Sequence, residues 1–285
     1  MANDVMVSFS GNSLSERFLT NEEVKAKCPV AFLDTPSNPK VSGRYVHANT
    51  ATIINDMAKL GWYPVEAKQK KARKNSNGIR SYHMVVFQSP DVKIYKENEV
   101  EAFPRIILTN SHDGFNSFRF MVGLYRVVCS NGLILADQSF ADFSIRHMNY
   151  TFEDLRDLVK KVIADLPNQV GTINDMKNTE LTDEQKYDLA TRMLRIRKNV
   201  PDEQQVTYSK TTLDDILAAA RKEDEGNSLW NVFNVLQEKM IKGGTKVEAG
   251  KKNKPMKLRA VKSFVSDLNM NHKMFETAKE YLKAA

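Results

Sequence analysis

The sequence predicts an α+β fold, with a largely antiparallel sheet packed on helices and an all-helical C-terminal part. Three observations carry that prediction. Between Pro104 and Asp137, three runs of β-forming residues are separated by the turn dipeptides Asp113-Gly114 and Asn131-Gly132. Between Trp62 and Phe87, two further runs flank a cation-rich stretch with Asn77-Gly78 at its tip, which reads as a basic hairpin. Beyond about residue 176 the alternation gives way to helical spacing, so the expected division is 1–175 for the α+β domain and 176–285 for the helical part.

Taken in order, residues 1–40 show little periodicity. Pro29, Pro36 and Pro39 punctuate a segment expected to drape over the surface or to mediate contact between subunits. A helix follows, capped by Thr50, lined by Ile53, Ile54, Met57 and Leu60, and ended by Gly61. The strand from Trp62 leads into Lys68, Lys70, Lys71, Arg73, Lys74 and Arg80, six cations with no acid among them, and Tyr82 to Phe87 forms the return strand. Pro90 to Phe103 reads as a connector. In the meander, Asp113-Gly114 is expected to form a two-residue turn with both residues at positive φ and His112 a rim contact. One face of such a meander packs on helices while the other is open to a ligand.

Thr151 with Asp154 opens the next helix, whose stripe is Leu155, Leu158, Val159, Val162 and Leu166, and Pro167 is expected to stop it. Thr182 with Gln185 forms a capping box for a helix through Leu189, Met193, Leu194 and Ile196. Thr212 and Ser228 open two more. Gly243-Gly244 ends the second, and Lys242 to Arg259, with seven cations and one acid, reads as a mobile loop. One or two closing helices complete the chain.

Bulk properties narrow the function. The 285 residues are 41% hydrophobic, enough for a core, yet no apolar run approaches the roughly 20 residues of a membrane span. The N-terminus has no secretory pattern, and two cysteines, Cys28 and Cys129, point to a reduced cytoplasm. The net charge of +7 favours acidic partners, nucleic acid first. The excess is unevenly spread: 22 cations against 20 acids over 1–180, and 20 against 15 over 181–285.

Enzymatic signatures are missing. Adjacent residues on a strand point to opposite faces, so Ser111, His112 and Asp113 cannot form a relay, and there is no G-x-S-x-G elbow. His83, His112, His147 and Cys129 lack the short spacings of a metal motif. Phosphate-cradling glycine loops of the Walker or dinucleotide kind are also missing. No catalytic residue, metal or cofactor is therefore expected, and a metal-dependent nuclease with His112 and Asp113 as ligands stays as the one enzymatic alternative.

The run Asn110-Ser111-His112-Asp113-Gly114, together with Cys129-Ser130-Asn131-Gly132, resembles the phage/plasmid-like protein family known as domain of unknown function 932. Gly43-Arg44-Tyr45, Arg146-His147 and Trp230-Asn231 with Gln237-Glu238 also fit that pattern. The resemblance implies a protein carried by phages or plasmids and supplies no activity. The residues themselves suggest one. Lys68, Lys70, Lys71, Arg73, Lys74, Arg80, Arg119, Arg126, Arg146, Lys251, Lys252 and Lys254 are candidate phosphate contacts, and Tyr82 and Phe115 candidate stacking rings. The order of helix, Gly-Trp, basic hairpin, antiparallel strands and helix is similar to the core of single-strand annealing proteins of the Red-beta and Erf kind. The expectation is a homo-oligomeric protein that binds single-stranded DNA or RNA and promotes annealing without nucleotide hydrolysis. The alternative is a counter-defence protein whose partner is a host protein or a nucleotide signal.

Overall fold

The computed structural model describes residues 17–41, 45, 47–70, 81–95, 100–116, 118–126, 151–201, 204, 206–248 and 255–282, and the backbone alone of 6–8, 96, 99 and 132–135. The chain packs as two compact units, one of Val5–Gln169 and one holding Val170–Ala285.

The first unit is built on a seven-stranded antiparallel sheet. Its strands are β1 (Met6–Ser8), β2 (Tyr63–Gln69), β3 (His83–Gln88), β4 (Lys93–Lys96), β5 (Glu99–Asn110), β6 (Arg119–Arg126) and β7 (Gly132–Leu135). The meander β5–β6–β7 and the hairpin β2–β3 are as predicted. The stretch Pro90–Phe103, predicted as a connector, instead supplies β4 and the start of β5. Its short Lys-Ile-Tyr-Lys alternation and three glutamates disguise it as polar linker.

Strand β5 organises the sheet. Residues Arg105 to Thr109 pair with β3 and β6 at once, so those two strands flank it on opposite edges. Strand β4 takes over from β3 further back, pairing with residues 99–102. Pro104 falls in the gap between these two partners, so on that edge its missing N–H costs no ladder bond.

Register sorts the side chains by face. Val85, Leu108 and Phe120 lie opposite one another, as do Phe87, Ile106 and Val122. They share one core with Ile53, Ile54 and Met57 of α2 (Thr50–Lys59) and with Leu155, Leu158, Val162 and Leu166 of α3 (Phe152–Asn178). Helix α1 (Asn21–Lys27) adds Val24, and Trp62 and Phe118 belong here too. The second face is less open than the meander suggested: Met84, Val86, Ile107 and Thr109 are buried there as well. Strand β3 is buried at all six positions, and its unbroken Met-Val-Val-Phe run is the pattern of a strand covered on both faces.

Two helix ends differ from prediction at α2 and α3. Asn49, not Thr50, caps α2, accepting from the N–H groups of Ala51 and Thr52 and leaving the Thr50 hydroxyl for another task. Pro167 lies inside α3. The apolar stripe continues past it through Val170, Ile173 and Met176, and that burial offsets the single backbone hydrogen bond a proline removes.

The second unit is helical apart from one short ribbon. It comprises α4 (Asp183–Lys198), α5 (Lys210–Leu217), α6 (Leu229–Lys242), the strands β8 (Lys246–Val247) and β9 (Met256–Lys257), and α7 (Phe264–Lys279). The Thr182–Gln185 capping box and the Ser228 cap form as predicted, whereas α5 is capped by Ser209 and Thr212 sits a turn inside it. Leu189, Met193, Phe233, Leu236, Met274 and Phe275 fill the core. Gln237 donates to Asn271 at 2.7 Å and Asn234 to the Trp230 carbonyl, so the polar residues of α6 are buried partners within their own unit. The expected loop after Gly243 closes into the β8–β9 pair at its base.

Candidate functional site

The Asn110–Gly114 motif sits where the sheet end meets the base of the β2–β3 hairpin. Asn110 through Asp113 are buried. The Asp113 carboxylate accepts from the Ser111 hydroxyl at 2.7 Å, the Phe115 N–H at 2.9 Å and the Ser81 N–H at 3.2 Å. The Ser81 hydroxyl in turn accepts from the His112 N–H at 2.7 Å. The Asn38 amide donates to the Asp113 carbonyl, and the Ser37 N–H to that of His112. The Asp113 carboxylate thus ties the hairpin base to the β5–β6 loop, and the His112 and Asp113 carbonyls tie in the N-terminal segment. This loop has eight residues, not two, because Asp113 folds back onto the Phe115 N–H in an Asx-type turn. Gly114 alone has positive φ, at 75°, and a Cβ there would come within 3.1 Å of Val41 Cγ1.

Three imidazoles cluster behind this loop, tilted to one another. The His112 ring lies 4.4 Å from His47 and 5.0 Å from His83, centre to centre. His83 Nδ1 is 2.6 Å from the Ser81 carbonyl oxygen, which only accepts, so Nδ1 carries the proton and Nε2 is an acceptor. The Thr50 hydroxyl donates to that Nε2 at 2.8 Å and accepts from the Asn110 amide at 3.0 Å. Burial pushes the His83 pKa down to about 4, against the opposing pull of the Ser81 carbonyl and Asp113. His47 donates through Nε2 to the Leu33 carbonyl at 2.7 Å. This is a frame rather than a catalytic centre: the Ser111 hydroxyl donates to a carboxylate, so no histidine activates it.

The frame holds exposed groups around it. Register places Lys68, Met84, Thr109 and Arg119 in one row across β2, β3, β5 and β6. Lys68 and Arg119 are exposed at its two ends, about 14 Å apart by strand spacing. Lys70 is exposed beside them, its N–H bonded to the Tyr82 carbonyl at 2.8 Å, and from there the chain enters the hairpin tip. Phe115, at 57% exposure, projects from the same end.

Residues 39–274 match the family described as Domain of unknown function (DUF932). The chain belongs to that family. Over 269 residues it is 28% identical to UPF0380 protein YafZ of Escherichia coli (strain K12), covering 94% of this chain and 93% of the relative. UPF0380 protein YfjQ of the same organism is 27% identical with the same coverage. No solved structure matches.

In this DUF932 chain, then, five predicted site residues converge at one sheet end: Lys68, Lys70, Tyr82, Phe115 and Arg119. Arg126 does not join them. It lies seven positions from Arg119, about 23 Å away along β6 and on the opposite face, and it is buried. Near that far end, Arg105 covers the Tyr125 ring at 3.9 Å and donates to Gln88. His112 is not a rim contact but a buried member of the frame. Lys71, Arg73, Lys74, Arg80, Arg146, Lys251, Lys252, Lys254, Cys129, Ser130 and Asn131 lie outside the described residues, as do His147 and the Asn77-Gly78 turn; Gly132 opens β7. Among the described residues no cluster of His, Cys, Asp or Glu is arranged to hold a metal, and no helix is long and apolar enough to cross a membrane. Sequence reasoning missed Thr50, Ser81 and His47 as frame members. The one available signal was a string of small polar and histidine residues bracketing apolar strands.

Proposed function

We propose that this sheet end binds single-stranded nucleic acid, with the basic hairpin and the Phe115 loop forming the contact surface. The observation that carries the reading is the convergence of Lys68, Lys70, Arg119 and an exposed aromatic on a rigid frame, at the base of a tip whose sequence adds Lys71, Arg73, Lys74 and Arg80. Lysine and arginine there would meet phosphates without reading base identity, and Phe115 would stack on a base. Strand annealing asks no more of a protein than this: it needs neither nucleotide hydrolysis nor a catalytic group. The succession α2, Gly61-Trp62, β2–β3 hairpin, antiparallel strands, α3 is in keeping with an annealing core. A homo-oligomer lining up along the strand, carried by a phage or plasmid, belongs to the same reading, and light scattering with and without oligonucleotide tests the assembly.

The test is the double substitution Lys70→Glu with Arg73→Glu. It is expected to weaken oligonucleotide binding at least tenfold while the melting temperature stays within about 2 °C, because exposed charges contribute little to stability. Unchanged affinity would remove the hairpin from the site. Binding of a host-cell protein that persists at high salt would favour the counter-defence alternative.

A further inference from the structure

The second unit contains a cleft of about 550 Å³, the size of a small-ligand site, between α4 and α7. Arg192 and Arg195, one turn apart on α4, reach it from one side, and His272 and Lys273 from the other. Arg192 is fixed by Glu280 at 2.6 Å, and Arg195 by the Pro201 carbonyl at 2.9 Å. The two acids of the cleft are already met by cations, Glu280 by Arg192 and Glu276 by Lys279 at 2.7 Å. Lys273 is exposed and has no carboxylate partner among the described residues, and the buried Nδ1 of His272 has no hydrogen-bond partner there. Ile196, Val200 and Pro201 give the same cleft an apolar wall.

A concave site with cations from both helices and an apolar wall suits a ligand that is part phosphate, part ring. We propose that this cleft binds a nucleotide-sized, phosphate-bearing ligand. Lys273 meets the phosphate, Arg195 adds positive field, and the apolar wall takes the base. The phosphate comes either from a free nucleotide or from one nucleotide of a strand. This proposal stands apart from the sheet-end reading, since it uses other residues in the other unit.

The experiment uses the full chain, its Lys273→Glu and Arg195→Ala variants, and Lys160→Glu, an exposed position on α3 that belongs to neither site, as a control. Calorimetry with deoxyadenosine monophosphate and with inorganic phosphate is run beside polarisation with an oligo-dT strand. A free-nucleotide site predicts mononucleotide binding that falls at least tenfold in Lys273→Glu and is unchanged in Lys160→Glu. A strand site predicts little mononucleotide binding and a several-fold loss of oligonucleotide affinity in Lys273→Glu. Neither probe distinguishing wild type from Lys273→Glu or Arg195→Ala, with all variants melting like wild type, would overturn the proposal. The basic groups would then be answered within the chain.

Discussion

The protein has two hairpins with lysine-rich tips, and their bases are secured by different means. The β2–β3 hairpin has six paired positions, and its base is clamped by side chains: Asp113, Ser81, Ser111 and the Thr50–His83 pair, drawn from segments far apart in sequence. The β8–β9 ribbon has two paired positions, and Lys246 stands directly opposite Lys257. Backbone secures most of it: the Gly244 N–H donates to the Leu258 carbonyl at 2.8 Å and the Leu258 N–H to that of Thr245 at 2.9 Å, while single side chains, the Thr212 hydroxyl at Glu248 and Arg197 at the Arg259 carbonyl, hold its ends. A buried polar clamp fixes direction as well as position, because each hydrogen bond in it is costly to leave unmade. A ribbon held mostly by its own backbone fixes the entry of its loop and little else. The difference is why the first hairpin, and not the second, is the one proposed as a binding surface.

The largest effect is expected where the clamp is cut. Asp113→Ala leaves the buried Ser81 N–H and the part-buried Phe115 N–H without their acceptor and should cost roughly 4 kcal/mol in urea unfolding. A loss under about 1 kcal/mol would mean that the clamp is not what holds the hairpin. Acid should act on the same region. His83 titrates at about 4 when folded and at its ordinary 6.5 when unfolded, so between those values the unfolded chain binds a proton that the folded chain does not. Its contribution is whole above pH 6.5 and lost as pH falls, by about 3 kcal/mol at pH 4. Unfolding curves from pH 7.5 to 4 should show that slope, and His83→Asn should flatten it.

The ribbon should break differently. Gly243 has φ of 68°, and a Cβ there would sit 2.6 Å from the Leu258 carbonyl oxygen, so Gly243→Ala should cost about 2 kcal/mol. Replacing Lys246 by Thr relieves a like-charge pair and should stabilise by about 0.5 kcal/mol, read as a small rise in melting temperature. A marked loss there would show that the opposed lysines share an anion in the free protein.

Local signals were legible in the sequence, and distant partnerships were not. The Thr182–Gln185 box, the Ser228 cap and the meander are written within a few residues, where geometry is short-range. The α+β class followed from them. Thr50 looked like a cap because hydroxyls often cap, but Asn49 beside it does that work and frees Thr50 for a histidine 33 positions away. His112 looked like a rim residue because a turn dipeptide follows it. Only the register of β2, β3, β5 and β6 reveals that its neighbours are Ser81, His83 and His47. Among the site residues, Lys68, Lys70 and Arg119 could be named from charge, yet their shared row needed the pairing of four strands. Arg126 failed for a simple reason: seven is an odd number, and strand faces alternate.

The most direct measurement is polarisation binding of a labelled oligo-dT strand, and of its duplex, across a salt series. The account predicts preference for the single strand, with log affinity falling against log salt at a slope of about −3, the mark of four or so phosphate contacts. Absence of binding at low salt, or binding indifferent to salt, would contradict it.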